Sequence, residues 1–218
     1  MYHNYDLIVF DWDGTLMDSA GAIVHAILAA CRDLGLPEPT EERARYVIGL
    51  GLADALAHAV PELSEDAYPE MVARYRHHYL SSDHQLVLFP GVFAMIEQLA
   101  GSGRMLGVAT GKSRVGLNRA LGHSGLGPFF RSTRCADECF SKPHPAMLHE
   151  IMDELGVVPE RTLMVGDTTH DLDMASNAGV AGLGVSFGAH APEALAQTSA
   201  VAVVDTPAAL AAWLSAHA

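Results

Sequence analysis

Two aspartates, Asp11 and Asp13, stand one residue apart at the end of an apolar run in the stretch LIVFDWDGTLMDS. Carboxylates about 4 Å apart repel by about 4 kcal/mol at an effective dielectric near 20, so the pair needs either a compensating charge or a reaction that uses both. Other polar residues sit in comparable places. MLGVAT stops at Thr110 with Gly111 next, TLMVGD stops at Asp167, and Asp171 follows. The chain has only two lysines, Lys112 and Lys142, against eleven arginines, and both lie close to the ends of such segments. Lys142 falls in SKPHP, where Pro143 and Pro145 stiffen the approach to a following helix.

A cluster of Asp11, Asp13, Asp167 and Asp171 cannot stay ionised without a cation, and all-oxygen ligands favour Mg²⁺. Handling a phosphoryl group would add further negative charge and call for cationic donors, a role that suits a lysine's compact point charge. Each residue also has an ordinary reading. An Asp pair after a strand is often a helix cap and a turn, and Thr110 could simply bond its own backbone. Asp171 could be an acid in the first turn of a helix, favoured by the dipole. For Lys112 a solvated surface charge and a phosphate contact are equally good readings.

The elements that must position these groups follow from hydrophobic period. LIVF, MLGVAT and TLMVGD read as buried strands, with shorter ones in AGLGVSF and AVAVVD. Helical spacing appears in Val92, Ile96 and Leu99, in Met147, Leu148, Ile151, Met152 and Leu155, and from Met174 to Ala178, with a closing helix in PAALAAWLSA. The alternation predicts an α/β fold: a parallel sheet with helices on both faces, whose ligands bind beyond the carboxyl ends of the strands. Residues 19–84 break the rhythm. They carry only helical patterns: Ile23, Ile27, Cys31 and Leu34 up to Gly35, then residues 52–60, then residues 69–80. The chain is expected to return to the sheet through LVLFPGV.

Of the 218 residues, 50% are hydrophobic and 18% charged, enough for a sizeable core, and no apolar run is long enough to cross a bilayer. The formal net charge of −13 argues against nucleic acid or anionic membrane as a partner. Cys31, Cys135 and Cys139 are an odd number and suit a reducing, cytoplasmic setting better than a disulfide framework. His77, His78 and His84 lack the companions of a zinc site and read as a solvated helix face.

Taken in order, Asp11 and Asp13 in DWDGTL, Thr110 in VATG, Lys142 in SKPHP, and Asp167 and Asp171 in GDTTHD resemble the four motifs of the haloacid dehalogenase-like superfamily of aspartate-nucleophile phosphohydrolases. The helical insertion resembles the cap of its phosphoglycolate phosphatase and beta-phosphoglucomutase-like branch. The resemblance implies a Rossmann-like core at residues 1–18 and 85–218 and an all-helical cap at residues 19–84. It implies Asp11 as nucleophile, Asp13 as general acid and base, and Thr110, Gly111 and Lys142 around the phosphoryl group. It further implies Mg²⁺ held by Asp11, the backbone carbonyl of Asp13 and Asp167, with Asp171 close by. Trp12 departs from the family, which more often has an aliphatic residue there.

Within that superfamily, Asp13 favours phosphoryl transfer over dehalogenation, and a cap without lysine excludes Schiff-base phosphonate hydrolysis. A phosphomutase would want a basic residue after the cap glycine, where residues 49–52 offer only glycine and leucine. The expected activity is therefore hydrolysis of a small organic phosphate ester, phosphoglycolate being one candidate, by a monomer or weak homodimer. The alternatives are a phosphomutase and a non-catalytic phospholigand-binding module. Roles in substrate contact are open for His144, His170 and the cap arginines Arg43, Arg45, Arg74 and Arg76.

Overall fold

A computed structural model describes residues 5–82 and 85–217. His84, which closes both the histidine group and the expected cap boundary, lies outside them. Six parallel strands form one sheet in the order β3-β2-β1-β4-β5-β6. They are β1 (Leu7–Phe10), β2 (Met105–Thr110), β3 (Ser132–Cys135), β4 (Thr162–Gly166), β5 (Ala181–Val185) and β6 (Ala202–Val204). The central strands are covered on both faces, which is why they read as continuous apolar runs rather than as alternating ones.

The two faces of β1 serve different layers. Ile8 and Phe10 pack with Val92, Ile96 and Leu99 of α5 (Val92–Gly101), Leu117 of α6 (Arg114–Ser124), and Leu210 and Leu214 of the closing helix (Pro207–His217). Leu7 and Val9 pack instead with Leu148 and Ile151 of α7 (Ala146–Leu155) and with Met174 of α8 (Thr169–Asn177). The strand β3 and the helix α6 are additions to the sequence reading. Ser-Thr-Arg-Cys has no apolar run because β3 is an edge strand: Ser132 and Arg134 send their side chains to Glu154 and Glu150 of α7 instead of into a core.

Between β1 and α5 the chain forms α1 (Ala20–Asp33), α2 (Glu41–Tyr46), α3 (Leu52–Ala59) and α4 (Tyr68–Ser82). Three of these follow the expected periodicity; α2, six residues long and capped by Thr40, is too short to show one. Ile23, Ile27, Cys31, Leu56 and Met71 form a separate apolar cluster within this group. The outgoing and returning strands of chain run side by side: Asp18 N–H donates to Val87 O at 3.0 Å, and Phe89 N–H donates to Leu16 O at 3.0 Å. Among the described residues no helix is long and apolar enough to cross a membrane.

Candidate active site

Because β1 lies between β2 and β4, with Phe10 opposite both Val108 and Val165, the residues that follow these three strands emerge side by side. Asp11, Thr110 and Asp167 are all fully buried there. After Asp11 the chain turns sharply, the N–H groups of Leu16 and Met17 both donating to Trp12 O at 3.0 Å. The turn requires glycine at position 14 for two reasons. Its φ is +81°, and a Cβ would collide with the Asp167 carboxylate.

Asp11, Asp167 and Asp171 each offer an oxygen within 4.8 Å of the others, and all three are buried. Lys142 is inserted between two of them, with Nζ 2.7 Å from Asp11 Oδ1 and 2.6 Å from Asp171 Oδ1. Asp167 accepts from the Thr15 hydroxyl at 2.8 Å and from Ala189 N–H at 2.7 Å. Asp171 combines its two readings. It closes a capping box with Thr168 at the start of α8 through Oδ2 and meets Lys142 through Oδ1. Burial pushes Asp11 up to about 7 against the opposing pull of Lys142. Burial likewise lifts Asp167 well above the carboxylate range, with Asp11 and Asp171 adding to the effect. Burial works to lower Lys142, but the attraction of Asp11 and Asp171 outweighs it and the ammonium is held charged.

These observations test the fit of a dication. With all three carboxyl groups ionised, one ammonium would leave two negative charges uncompensated in a buried space, and Asp11 Oδ2 has no hydrogen-bond partner among the described residues. An all-carboxylate donor set with this charge deficit fits Mg²⁺.

The side chain of Asp13 is not part of that cluster. Both of its oxygens lie 2.9 Å from Lys112 Nζ, and Ser19 donates its hydroxyl to Oδ1 at 2.6 Å. Lys112 also donates to the Tyr79 hydroxyl of α4 at 2.9 Å. Sequence reasoning left Lys112 undecided, although its rarity among the cations was the available signal; nothing in the sequence marks Ser19 or Tyr79. Thr110 accepts from Lys112 N–H at 3.2 Å, which leaves its hydroxyl proton free to donate. Gly111 is tied to the helical insertion, since a Cβ there would strike the carbonyls of Gly49 and Leu50. The same segment donates from Gly51 N–H to Ser141 Oγ at 2.9 Å.

His170 and His190 were not assigned from sequence. Both present Nε2 to the Tyr46 carbonyl, at 2.7 Å and 3.0 Å, so α2 is fastened to the sheet's carboxyl edge. Burial pushes both imidazoles down, and Thr169 N–H donates to His190 Nδ1, which assigns the His190 proton to Nε2. The remaining candidates do not converge. His144 Nδ1 accepts from Ala146 N–H at the start of α7, and His78 pairs with Asp33 across α4 and α1. Arg45 and Arg74 pair with Glu41 and Glu70 one turn away, Arg43 donates to His58 O, and Arg76 is exposed. Trp12 is fully buried against Phe130.

The family model for haloacid dehalogenase-like hydrolase matches residues 8–185. A protein of Dickeya dadantii named "Probable phosphatase IndB" is 38% identical over 206 residues, covering 92% of this chain and 89% of that protein. The phosphoglycolate phosphatase of Aliivibrio fischeri is 30% identical over 214 residues, 94% of either chain. The crystal structure of a "predicted phosphoglycolate phosphatase" from Haemophilus somnus superposes with a TM-score of 0.83 at 27% identity, covering 93% of this chain and 94% of that one. With a matched core that spans every motif from Asp11 to Asp171 and a buried carboxylate cluster at the sheet's edge, the chain belongs to the haloacid dehalogenase-like hydrolase family.

Proposed function

We propose that this chain is a Mg²⁺-dependent phosphatase that hydrolyses a small organic phosphate monoester through an aspartyl-phosphate on Asp11. The observation that carries the reading is the buried set of three carboxylates around a single lysine, a charge balance that suits a dication and a phosphoryl group together. Asp11, Asp167 and the Asp13 carbonyl would hold Mg²⁺, with Asp171 behind them, and the bound ion would offset the charge of the phosphoryl oxygens.

Asp11 Oδ attacks phosphorus, a new P–O bond forms to the carboxylate, and the bond to the ester oxygen breaks. Asp13 gives its proton to that leaving oxygen. In the second half it takes a proton from the water that cleaves the aspartyl-phosphate. Lys142 neutralises charge beside Asp11, and the Thr110 hydroxyl and Gly111 backbone line the phosphoryl position. We assign residues 19–84 to a cap over a core of residues 1–18 and 85–218, its segment at Gly49 to Gly51 closing the site and excluding water.

The phosphomutase alternative lacks support, since the segment that meets Gly111 brings only glycine and leucine, with no cation for a second phosphate. Retention of Asp11, Asp13 and Lys142 in one buried site weighs against a non-catalytic module. Relatives named phosphoglycolate phosphatase make phosphoglycolate the first ester to try. The test is Mg²⁺-dependent phosphate release from p-nitrophenyl phosphate by the wild type and by Asp11→Asn. A loss on the order of 10⁴-fold or more is expected in the variant, as for other nucleophiles. Absence of Mg²⁺-dependent turnover, or an unimpaired variant, overturns the reading.

A further inference from the structure

The site contains a second, largely buried cation. Lys142 already serves the Asp11 side, whereas Lys112, its side chain 9% exposed, faces Asp13 and the Tyr79 hydroxyl and lies 4.9 Å from the centre of the Tyr79 ring. Lys112 follows β2 and Tyr79 belongs to α4, so the pair spans the junction of the sheet and the helical insertion.

We propose that Lys112 and Tyr79 form the subsite for a carboxylate on the leaving alcohol, placed one or two carbons beyond the ester oxygen, which makes the substrate a short phosphooxy acid. This rests on the phosphatase reading above. The ester oxygen must come within about 2.6–3.2 Å of Asp13 to receive its proton. The carbons beyond it then enter the reach of an ammonium that lies 2.9 Å from both oxygens of that same carboxylate. As Asp13 turns to the ester oxygen, Lys112 gives up a partner. A buried ammonium left unpaired is costly, so a leaving group that brings its own carboxylate restores the pair and a neutral alcohol does not.

The experiment compares kcat/KM for 2-phosphoglycolate and for 2-hydroxyethyl phosphate, equal in length but neutral at the far end, in the Mg²⁺-loaded wild type, Lys112→Met, Lys112→Arg and Tyr79→Phe. The wild type is expected to prefer the acid by on the order of a hundredfold, since sites built around a polar group reject the analogue that lacks it. Lys112→Met should bring the ratio close to one, Tyr79→Phe should lower it partway, and Lys112→Arg, which keeps the charge, should retain most of it. Turnover of p-nitrophenyl phosphate in the same samples reports on the chemistry separately. Calorimetric binding of both esters to Mg²⁺-loaded Asp11→Asn, with and without Lys112→Met, reads the preference even where turnover is lost. Equal use or equal binding of the two esters by otherwise wild-type protein overturns the proposal, as does a ratio unchanged in Lys112→Met. A preference for ethylene glycol bisphosphate over 2-phosphoglycolate overturns the assignment to a carboxylate.

Discussion

The two lysines of this chain occupy sites of similar depth and opposite construction. Lys142 is enclosed by Asp11 and Asp171, so both of its ion-pair partners among the described residues sit at the sheet's edge and on its flanking helix. Lys112 is shared between Asp13 and Tyr79, and Tyr79 comes from α4 of the helical insertion. The first arrangement is assembled once the sheet forms. The second is complete only while the insertion lies against the sheet, since Tyr79 belongs to α4.

Removing the first cation should separate the two sites most sharply. Lys142→Met leaves three buried carboxylates without an ammonium, so metal-free protein should lose about 3–5 kcal/mol by denaturant titration, the cost of breaking a buried ion pair. Phosphatase turnover should fall on the order of 10³-fold. A variant as stable and active as the wild type would show that Lys142 does not offset the cluster.

Metal and pH sharpen the same comparison. Without metal, Asp11 at about 7 and Asp167, also raised, bind protons more tightly in the folded chain than in the unfolded one. Their contribution to stability is therefore fully present below the ordinary carboxylate pKa and is lost as pH rises toward about 7. Melting with EDTA should show stability declining across that range, and Mg²⁺ should raise Tm more at pH 7.5 than at pH 5, about 2.7 kcal/mol being gained at a hundredfold excess over Kd. A Mg²⁺ effect independent of pH would contradict this.

The smallest expected effect lies at the seam. Gly111→Ala places a methyl group against the carbonyls of Gly49 and Leu50 and should push that segment away from the sheet. KM should rise roughly tenfold with a smaller change in kcat, and metal-free stability should fall by about 1–3 kcal/mol. An unchanged KM would mean that the segment does not rest on Gly111 during catalysis.

Asp11 and Asp167 were legible because each follows directly after an apolar strand, and a parallel sheet brings consecutive strand ends to one edge whatever the intervening chain does. Thus Asp11, Thr110 and Asp167 could be grouped from pattern, and Lys142 from its scarcity and the prolines beside it. The edge strand β3 escaped because Ser132 and Arg134 are satisfied by α7 carboxylates and leave no apolar signature. The contacts of Thr15 with Asp167, 152 residues apart, and of His170 and His190 with one Tyr46 carbonyl carry no local pattern at all.

By itself the sequence determined the class of chemistry, since side-chain type, order and strand-end placement are local properties that survive any detail of packing. Tertiary structure alone decided how charge is divided between the two aspartates: Asp11 drawn into a carboxylate cluster with Lys142, Asp13 turned toward Lys112, Ser19 and Tyr79. Two carboxylates one residue apart acquire different partners only when segments distant in sequence arrive on opposite sides of the turn at Gly14, and that arrival is set by how helices pack rather than by any spacing along the chain.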